Sequence, residues 1–446
     1  MSGNTTEEPI EPEVLPPEKP EQDRPRSPGR HADRRRNPFL PRLIMTTGNR
    51  LRMVTCGGLL ILGCFTLRTY SGQAPQAADC PDGQLRLILG GDTSFGENYQ
   101  QYIEKHGGEN ILKTKGYLYS LKNFTSFLDQ ADLVIANLET PLTDLTSSKL
   151  KCKKQYIHWS DPVRAPRTLK QHNIGVVSLA NNHTLDYGIA GLHQSLHALR
   201  KYGIQWLGAG KDEESAAQPL RFDWLLEGQA FRFVIAAGFE YRQNYDEVFD
   251  FYAGGDRGGA NAWTKNRATE QIEAIRRADP DALVVAYPHF GKNYEWRTEN
   301  QRELAQALID AGADLIIGHG AHMFQEIEQY RGRWIIYSLG NFMFNSPGRY
   351  LKKKADPFSL VARLDVTKNQ GAPTVALRLY PVISDNRITN YQPCFVSEQQ
   401  FRRVQELLLR HSTDAESLRR SMGTGEDRFG RYLVFDVAFG KEAFEQ

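Results

Sequence analysis

Residues able to hold a metal ion or move a proton recur in this chain at one kind of place, directly after short apolar runs. LRLILGGD ends on Asp92, and DLVIANLE supplies Asn137 and Glu139. GVVSLANNH supplies Asn181, Asn182 and His183, with Asp186 close behind. ALVVAYPH ends on His289, DLIIGHGAH carries His319 and His322, and WIIYSLGN ends on Asn341. A single Asp or Asn in such a place is usually a turn residue or a helix cap. Six such ends in succession, three of them with histidine, imply a shared task. Carboxylate, amide oxygen and imidazole without thiolate suit a divalent cation such as Mn²⁺, Zn²⁺ or Fe²⁺, one ion or two, and do not choose among them. Asp92 and Glu139 offer anionic oxygen, Asn182 a neutral carbonyl oxygen, and His289, His319 and His322 ring nitrogen. His183 stands beside a ligand without needing to be one, which suits a general acid that protonates a leaving group. Asp186 is placed either to orient His183 or to cap a helix.

The elements that must position these residues are legible around them. Apolar runs at 85–89, 133–136, 175–179, 231–236, 282–286, 314–317 and 334–338 read as buried strands. Amphipathic helical stretches at 118–130, 192–202, 269–278 and 299–311 alternate with them, the pattern of an α/β sheet. Ligands of open α/β sheets sit outside the carboxyl ends of the strands, so the polar ends converge on one crevice. Segments 359–366 and 374–383 read as a later antiparallel pair, and 398–411 as a further helix. His158, His172, His193 and His197 follow no strand; His193 and His197, on one helical face, read as surface residues. No internal repeat is visible, and 85–446 reads as one domain.

The first part of the chain has a different character. Residues 1–52 are rich in Pro, Glu and Arg and hold too few large apolar side chains to offset chain entropy. The run 53–67 carries no charge and lies between Arg52 and Arg68. Extended by Thr69 and Tyr70, it reads as a single transmembrane anchor at 53–70. The arginines before it place the N-terminus in the cytoplasm and the main domain outside the membrane. Residues 71–84 read as a linker. A cleaved signal peptide is the rival, given the small residues at 74–78, and the long basic segment argues against it. The net charge of +2 implies no polyanion partner by itself, and the basic tail is better explained by topology than by nucleic acid, so none is expected. Five cysteines occur without a C-x-x-C pair. An exported domain with Cys80, Cys152 and Cys394 allows one disulfide and one free thiol, with the pairing open.

Taken together, Gly91-Asp92, Asn137-Leu138-Glu139, the run LANNHTLDYG at 179–188, His289-Phe290-Gly291, Gly318-His319-Gly320-Ala321-His322 and the run YSLGNF at 337–342 resemble the capsule synthesis protein CapA family. That family includes the membrane-anchored component of poly-γ-glutamate synthesis. The likeness covers about residues 85–350. It implies a calcineurin-like metallophosphoesterase fold, with two facing β-sheets flanked by helices in a four-layer α/β/β/α sandwich. It also implies a role in making or exporting an anionic surface polymer such as poly-γ-glutamate, with other capsule synthase or export subunits as partners. Three departures stand out. Asp92-Thr93-Ser94 lacks the histidine of the usual Asp-x-His, Asn137-Leu138-Glu139 replaces the usual second-strand Asp, and Gly320-Ala321 stands where the family has proline between two histidines. Two functions follow. One is a metal-dependent hydrolase or transferase acting on an ester or amide bond of the polymer. The other is a non-catalytic polymer-binding or export component that keeps the fold. The missing histidine favours the second; the retained strand-end set favours the first, because clustered buried polar groups are costly.

Overall fold

Leu85, Leu87 and Leu89 point to one side of their strand and Ile88 to the other, the period of two expected of a strand covered on both faces. In the computed structural model that strand is Gln84–Ser94, longer than its apolar run. The model describes residues 83–440 and the backbone of 78–80, all within the unit Ala74–Gln446. The tail and the anchor expected at 1–70 lie outside the described residues. Among the described residues no helix is long and apolar enough to cross a membrane.

The structure is mixed α/β with two large sheets. In the larger one, Gln84–Ser94, Leu133–Leu138, Ile174–Ser178 and Gln205–Leu207 run parallel in that order. On the other edge of Gln84–Ser94 lies the antiparallel hairpin Phe358–Asn369 and Ala372–Ile383, followed by Gly430–Val437. The short strand Asn341–Phe344 also joins Gln84–Ser94 in parallel. In the second sheet Gln229–Glu240, Leu283–His289, Leu315–Ile317 and Arg333–Ile336 are parallel neighbours, with Leu220–Leu226 antiparallel at one side.

Packing follows the strand alternation. One apolar cluster joins the two sheets: Leu85, Leu87, Leu89, Leu364 and Leu377 meet Phe233, Ile235, Val285, Ile317 and Ile336. The opposite face of the larger sheet, with Ile88, Val134 and Val177, is covered by Phe124, Leu169, Leu192 and Leu199. The opposite face of the second sheet, with Val234, Val284 and Ile316, is covered by Ile272, Ile275, Leu304 and Leu308. Each such side chain contributes roughly 1.5–3 kcal/mol when fully buried.

Most expected elements are present with shifted ends, and 398–411 is the helix Glu398–His411, fixed by a capping box between Ser397 and Gln400. The exception is 118–130, which divides into a 3₁₀ run, Tyr119–Phe124, and one α-turn, Thr125–Leu128. Lys-Asn-Phe-Thr-Ser holds poor helix formers, and the core takes both Phe124 and Phe127, a spacing that suits three residues per turn. Cys152 is exposed and Cys394 half-buried, and they are not joined to each other; the side chain of Cys80 lies outside the described residues.

Candidate metal centre

Strand register brings the polar ends level. Asp92 stands opposite Asn137 on one neighbour and opposite Asn341 on the other. In the second sheet His289 pairs with His319. The pairing of Gln84–Ser94 with Leu133–Leu138 breaks register between Leu89 and Asp92, an irregularity of the kind that re-aims a side chain beside a site. Gly91 allows this bend, because a Cβ there would run into the carbonyl of Gly340, which accepts a hydrogen bond from the Asp92 N–H at 2.9 Å.

Asp92 is the hub. Its Oδ1 lies 3.5 Å from His319 Nδ1 and 3.8 Å from His289 Nδ1, and its Oδ2 lies 3.3 Å from His322 Nδ1. Asn137 donates to Oδ1 at 3.0 Å and the Gly320 N–H to Oδ2 at 3.1 Å. Gly320 has φ +108°, and a Cβ there would crowd the His289 ring, which explains a glycine at that point of the turn. Two triads result, Asp92–His289–His319 and Asp92–Glu139–His322, each with one ligand atom per residue within 4.8 Å of the others. Both are buried, and both use Asp92.

Whether these residues fit a divalent cation can be judged from what they lack. Both carboxylate oxygens of Glu139, the amide oxygen of Asn182 and Nε2 of His319 are buried without a hydrogen-bond partner among the described residues. A buried polar atom left unpaired costs about 1–3 kcal/mol, more when charged. Glu139 and His319 each belong to a triad with Asp92, and their unpaired atoms, good hard or borderline donors, fit a cation. Protonation tells the same story. Burial pushes the Glu139 carboxyl up to about 8, against the pull of His322 and with the repulsion of Asp92. Burial also opposes charge on His322, but Glu139 and Asp92 outweigh it and carry the imidazole up to about 9. Asp92 itself is held well below the carboxylate range, since His319, His322 and His289 outweigh its burial. Burial keeps His289 and His319 below the ordinary histidine range.

Beside the triads is a second buried group. His183 Nδ1 donates to Asp186 Oδ2 at 2.6 Å, and its Nε2 lies 3.8 Å from Glu139 Oε1. Asp186 also accepts from Lys154 Nζ and from the His158 backbone N–H, each at 2.6 Å. The His158 ring stacks on His183 with centroids 3.6 Å apart and meets the Tyr99 hydroxyl at 3.0 Å. Burial, then Lys154 and His322, hold His183 well below the ordinary histidine range.

Of the six residues expected to hold metal, the structure brings five together in the two triads and leaves Asn182 outside them. Asn182 is half-buried, with its side-chain oxygen buried and without a hydrogen bond among the described residues. Asn181 instead bridges within the scaffold, donating to Asn137 Oδ1 and the Leu138 carbonyl and accepting from the His183 N–H. His193 and His197 are exposed, as read from the sequence, and His172 bonds its own helix. His158 follows no strand in the sequence, and nothing there marks Lys154. Both lie on the loop between Leu133–Leu138 and the helix Arg164–Gln171, where no strand end or spacing marks them.

Comparison with known proteins supplies context for this geometry. The family model described as "Bacterial capsule synthesis protein PGA_cap" matches residues 86–346. The chain is 28% identical over 289 residues to the PGA biosynthesis protein CapA of Bacillus subtilis (strain 168), covering 62% of this chain and 68% of that one. It is 26% identical over 267 residues to the capsule biosynthesis protein CapA of Bacillus anthracis, covering 59% and 60%. It is 28% identical over 387 residues to a probable polyglutamine synthesis accessory protein of Mycobacterium tuberculosis (strain ATCC 25618 / H37Rv), covering 78% and 93%. A solved structure, GAP50, the anchor in the inner membrane complex of Plasmodium, aligns at 13% identity over 68% of this chain and 85% of its own, with a TM-score of 0.34. That likeness is too slight to build on.

Proposed function

The chain belongs to the bacterial capsule synthesis protein PGA_cap family, and from that premise we propose that it is a membrane-anchored, metal-dependent hydrolase or transferase acting on an ester or amide bond of an anionic surface polymer of the poly-γ-glutamate kind. We place it in the calcineurin-like four-layer α/β/β/α class, on the strength of two sheets sharing one apolar cluster with helices against their other faces. The observation that carries the reading is Glu139, fully buried with neither carboxylate oxygen hydrogen-bonded among the described residues and only His183 and His322 near Oε1 at 3.8 Å, in one of two triads that share Asp92.

In this reading Asp92, His289 and His319 would hold a divalent cation, and Asp92, Glu139 and His322 would hold a second, with the unpaired Asn182 oxygen a further candidate ligand. Such ions polarise a carbonyl or phosphoryl oxygen and lower the pKa of bound water. His183 moves the proton. Its Nδ1–H is committed to Asp186, so Nε2 is the free nitrogen and faces Glu139. Its depressed pKa makes the resting ring neutral, so it accepts a proton at Nε2 before delivering one to the leaving group. This refines the acid role expected from sequence. Asp186 fixes the tautomer and orientation, and Lys154 balances its charge.

Purified protein should retain metal, shorten γ-linked glutamate chains with Mn²⁺ or Zn²⁺ present, and lose that activity to chelator. Protein that stays metal-free after incubation with either ion removes the reading. A second reading, polymer binding or export without turnover, is favoured by Ser94, which stands where an Asp-x-His pattern would put histidine. Metal retention with no cleavage and no transfer would select it. We also propose that the N-terminus is cytoplasmic and the main domain outside the membrane. A reporter fused after Gln446 should be active outside the cytoplasm and stay with membranes; a soluble cytoplasmic reporter refutes this.

A further inference from the structure

Two residues past His289, Gly291 lines a cavity of about 720 Å³ whose wall also carries Glu240, Arg242, Lys292, Glu295, Arg349 and Lys353. The acids are answered by cations. Glu240 lies 3.2 Å from Arg242 and Glu295 lies 3.6 Å from Lys353, and a third, Glu299, is flanked by Arg297 and Arg302 at 3.7 and 3.5 Å. Lys292 and Arg349 are different, with no carboxylate within ion-pair distance among the described residues.

Arg349 is also held in place. Its guanidinium sits over the ring of Tyr156 at 5.7 Å and that of Tyr294 at 5.6 Å. The Tyr294 ring lies 5.6 Å from the ring of His322, one of the proposed ligands. The chain neighbour of Arg349, Tyr350, is buried and donates to the His322 carbonyl at 2.7 Å, so the backbone that carries Arg349 is tied to the candidate centre. Tyr294 and His322 both adopt left-handed backbone, φ +59° and +60°, a conformation side chains rarely take and one that clusters at functional sites. Aromatic faces hold a guanidinium by its plane and leave its edge donors free, and that edge is the fork that matches a carboxylate or phosphate. Ammonium does not do this, so Lys292 can add field but not register.

We infer that this cleft is the track along which an anionic chain reaches the metal centre, and that Arg349 holds the acidic group of the unit beside the reacting bond. The inference rests on the proposed function above and adds the direction of the chain and the residue that reads its charge. Arg242 ties the far wall to the centre, donating to the Gly291 carbonyl at 2.7 Å just past His289.

The test measures binding of two probes, a γ-linked glutamate decamer and inorganic polyphosphate of matched charge, to the full chain in chelator so that no turnover intervenes. The methyl-esterified decamer serves as the uncharged control. Arg349→Met should weaken the decamer at least tenfold at low salt, and the difference should shrink at high salt. Arg349→Lys should recover only part of the loss. The esterified control should bind weakly and equally to all forms. Metal content and Tm of both variants should match the parent, which separates recognition from folding. Equal decamer affinity for parent and Arg349→Met overturns the inference and leaves the metal-centre reading standing. Polyphosphate binding lost in Arg349→Met, with no decamer binding by the parent, supports the cleft and removes the γ-glutamate reading. A parent that binds neither chain overturns the inference.

Discussion

Replacing Glu139 by Gln separates a residue kept for function from one kept for folding. In the metal-free protein the Glu139 carboxyl rises from its ordinary 4.5 to about 8, so at pH 7 the folded form keeps it protonated while the unfolded form ionises it. The gap from 4.5 to pH 7, at about 1.4 kcal/mol per pH unit, is a cost of about 3 kcal/mol. Gln removes that cost and leaves an unpaired amide, which returns about 1–3 kcal/mol. Metal-free Glu139→Gln should therefore be as stable as the parent or up to about 2 kcal/mol more stable. A structural buried charge behaves in the opposite way, since breaking its pairing costs about 3–5 kcal/mol. With metal the order reverses. A cation at 100 times its Kd stabilises the parent by about 2.7 kcal/mol, and a variant bound a hundredfold more weakly gains about 0.4 kcal/mol. Urea titrations at pH 7, in chelator and in Mn²⁺, read both quantities. The pH sign is also fixed: the folded form binds the extra proton between 4.5 and 8, so metal-free parent loses stability as pH rises through that window and Glu139→Gln does so less. A variant that loses 3 kcal/mol in chelator, or that keeps the full Mn²⁺ response, would falsify the argument.

Asn182→Ala and His183→Ala should fail differently. The first should lower metal affinity and regain activity at high metal. The second should keep metal and lose about 10²–10⁴ in turnover, less for substrates with good leaving groups; equal losses across leaving groups with a lower Tm would assign His183 to packing. Glu97 is a separate titration. Burial raises its carboxyl to about 7 although Ser160 and the Asp161 N–H bond it, so the folded form binds the extra proton between 4.5 and 7 and stability falls as pH rises through that range. From pH 5 to pH 8 the urea-derived stability of the parent should fall by up to about 3 kcal/mol more than that of Glu97→Gln, which keeps the Glu139 contribution, and parallel curves would show that Glu97 does not titrate there.

The grouping of the candidate site is legible in the sequence because its residues sit at chain positions that topology controls. A parallel strand must deliver whatever follows it to the same end of the sheet, so Asp92, Glu139, His289 and His319 could be grouped without knowing any distance. The helix Glu398–His411 was readable because its cap and its apolar face agree. What failed had tertiary causes. Lys154 and His158 reach Asp186 from a loop whose path is set by that contact. The residues of 118–130 carry helix-like periodicity, but core packing of Phe124 and Phe127 decided their backbone. Arg349 looks like any surface arginine in sequence, and only the rings of Tyr156 and Tyr294 distinguish it.

Asp92 presents one oxygen to each triad, and this couples the two sites through a single charge. If both triads take a cation, as proposed, the first to arrive would neutralise the anion that the second must also use, and the second would then meet a neighbouring like charge. Occupancy should be stepwise, with unequal affinities and negative cooperativity. At pH 7 the Asp92–Glu139–His322 side must first release the protons that Glu139 and His322 hold, whereas His289 and His319 are kept neutral by burial. The Asp92–His289–His319 side should therefore fill first, and the other side should fill more readily as pH rises. At limiting metal the protein would then pass through a half-loaded form whose activity, or lack of it, marks which cation the chemistry requires.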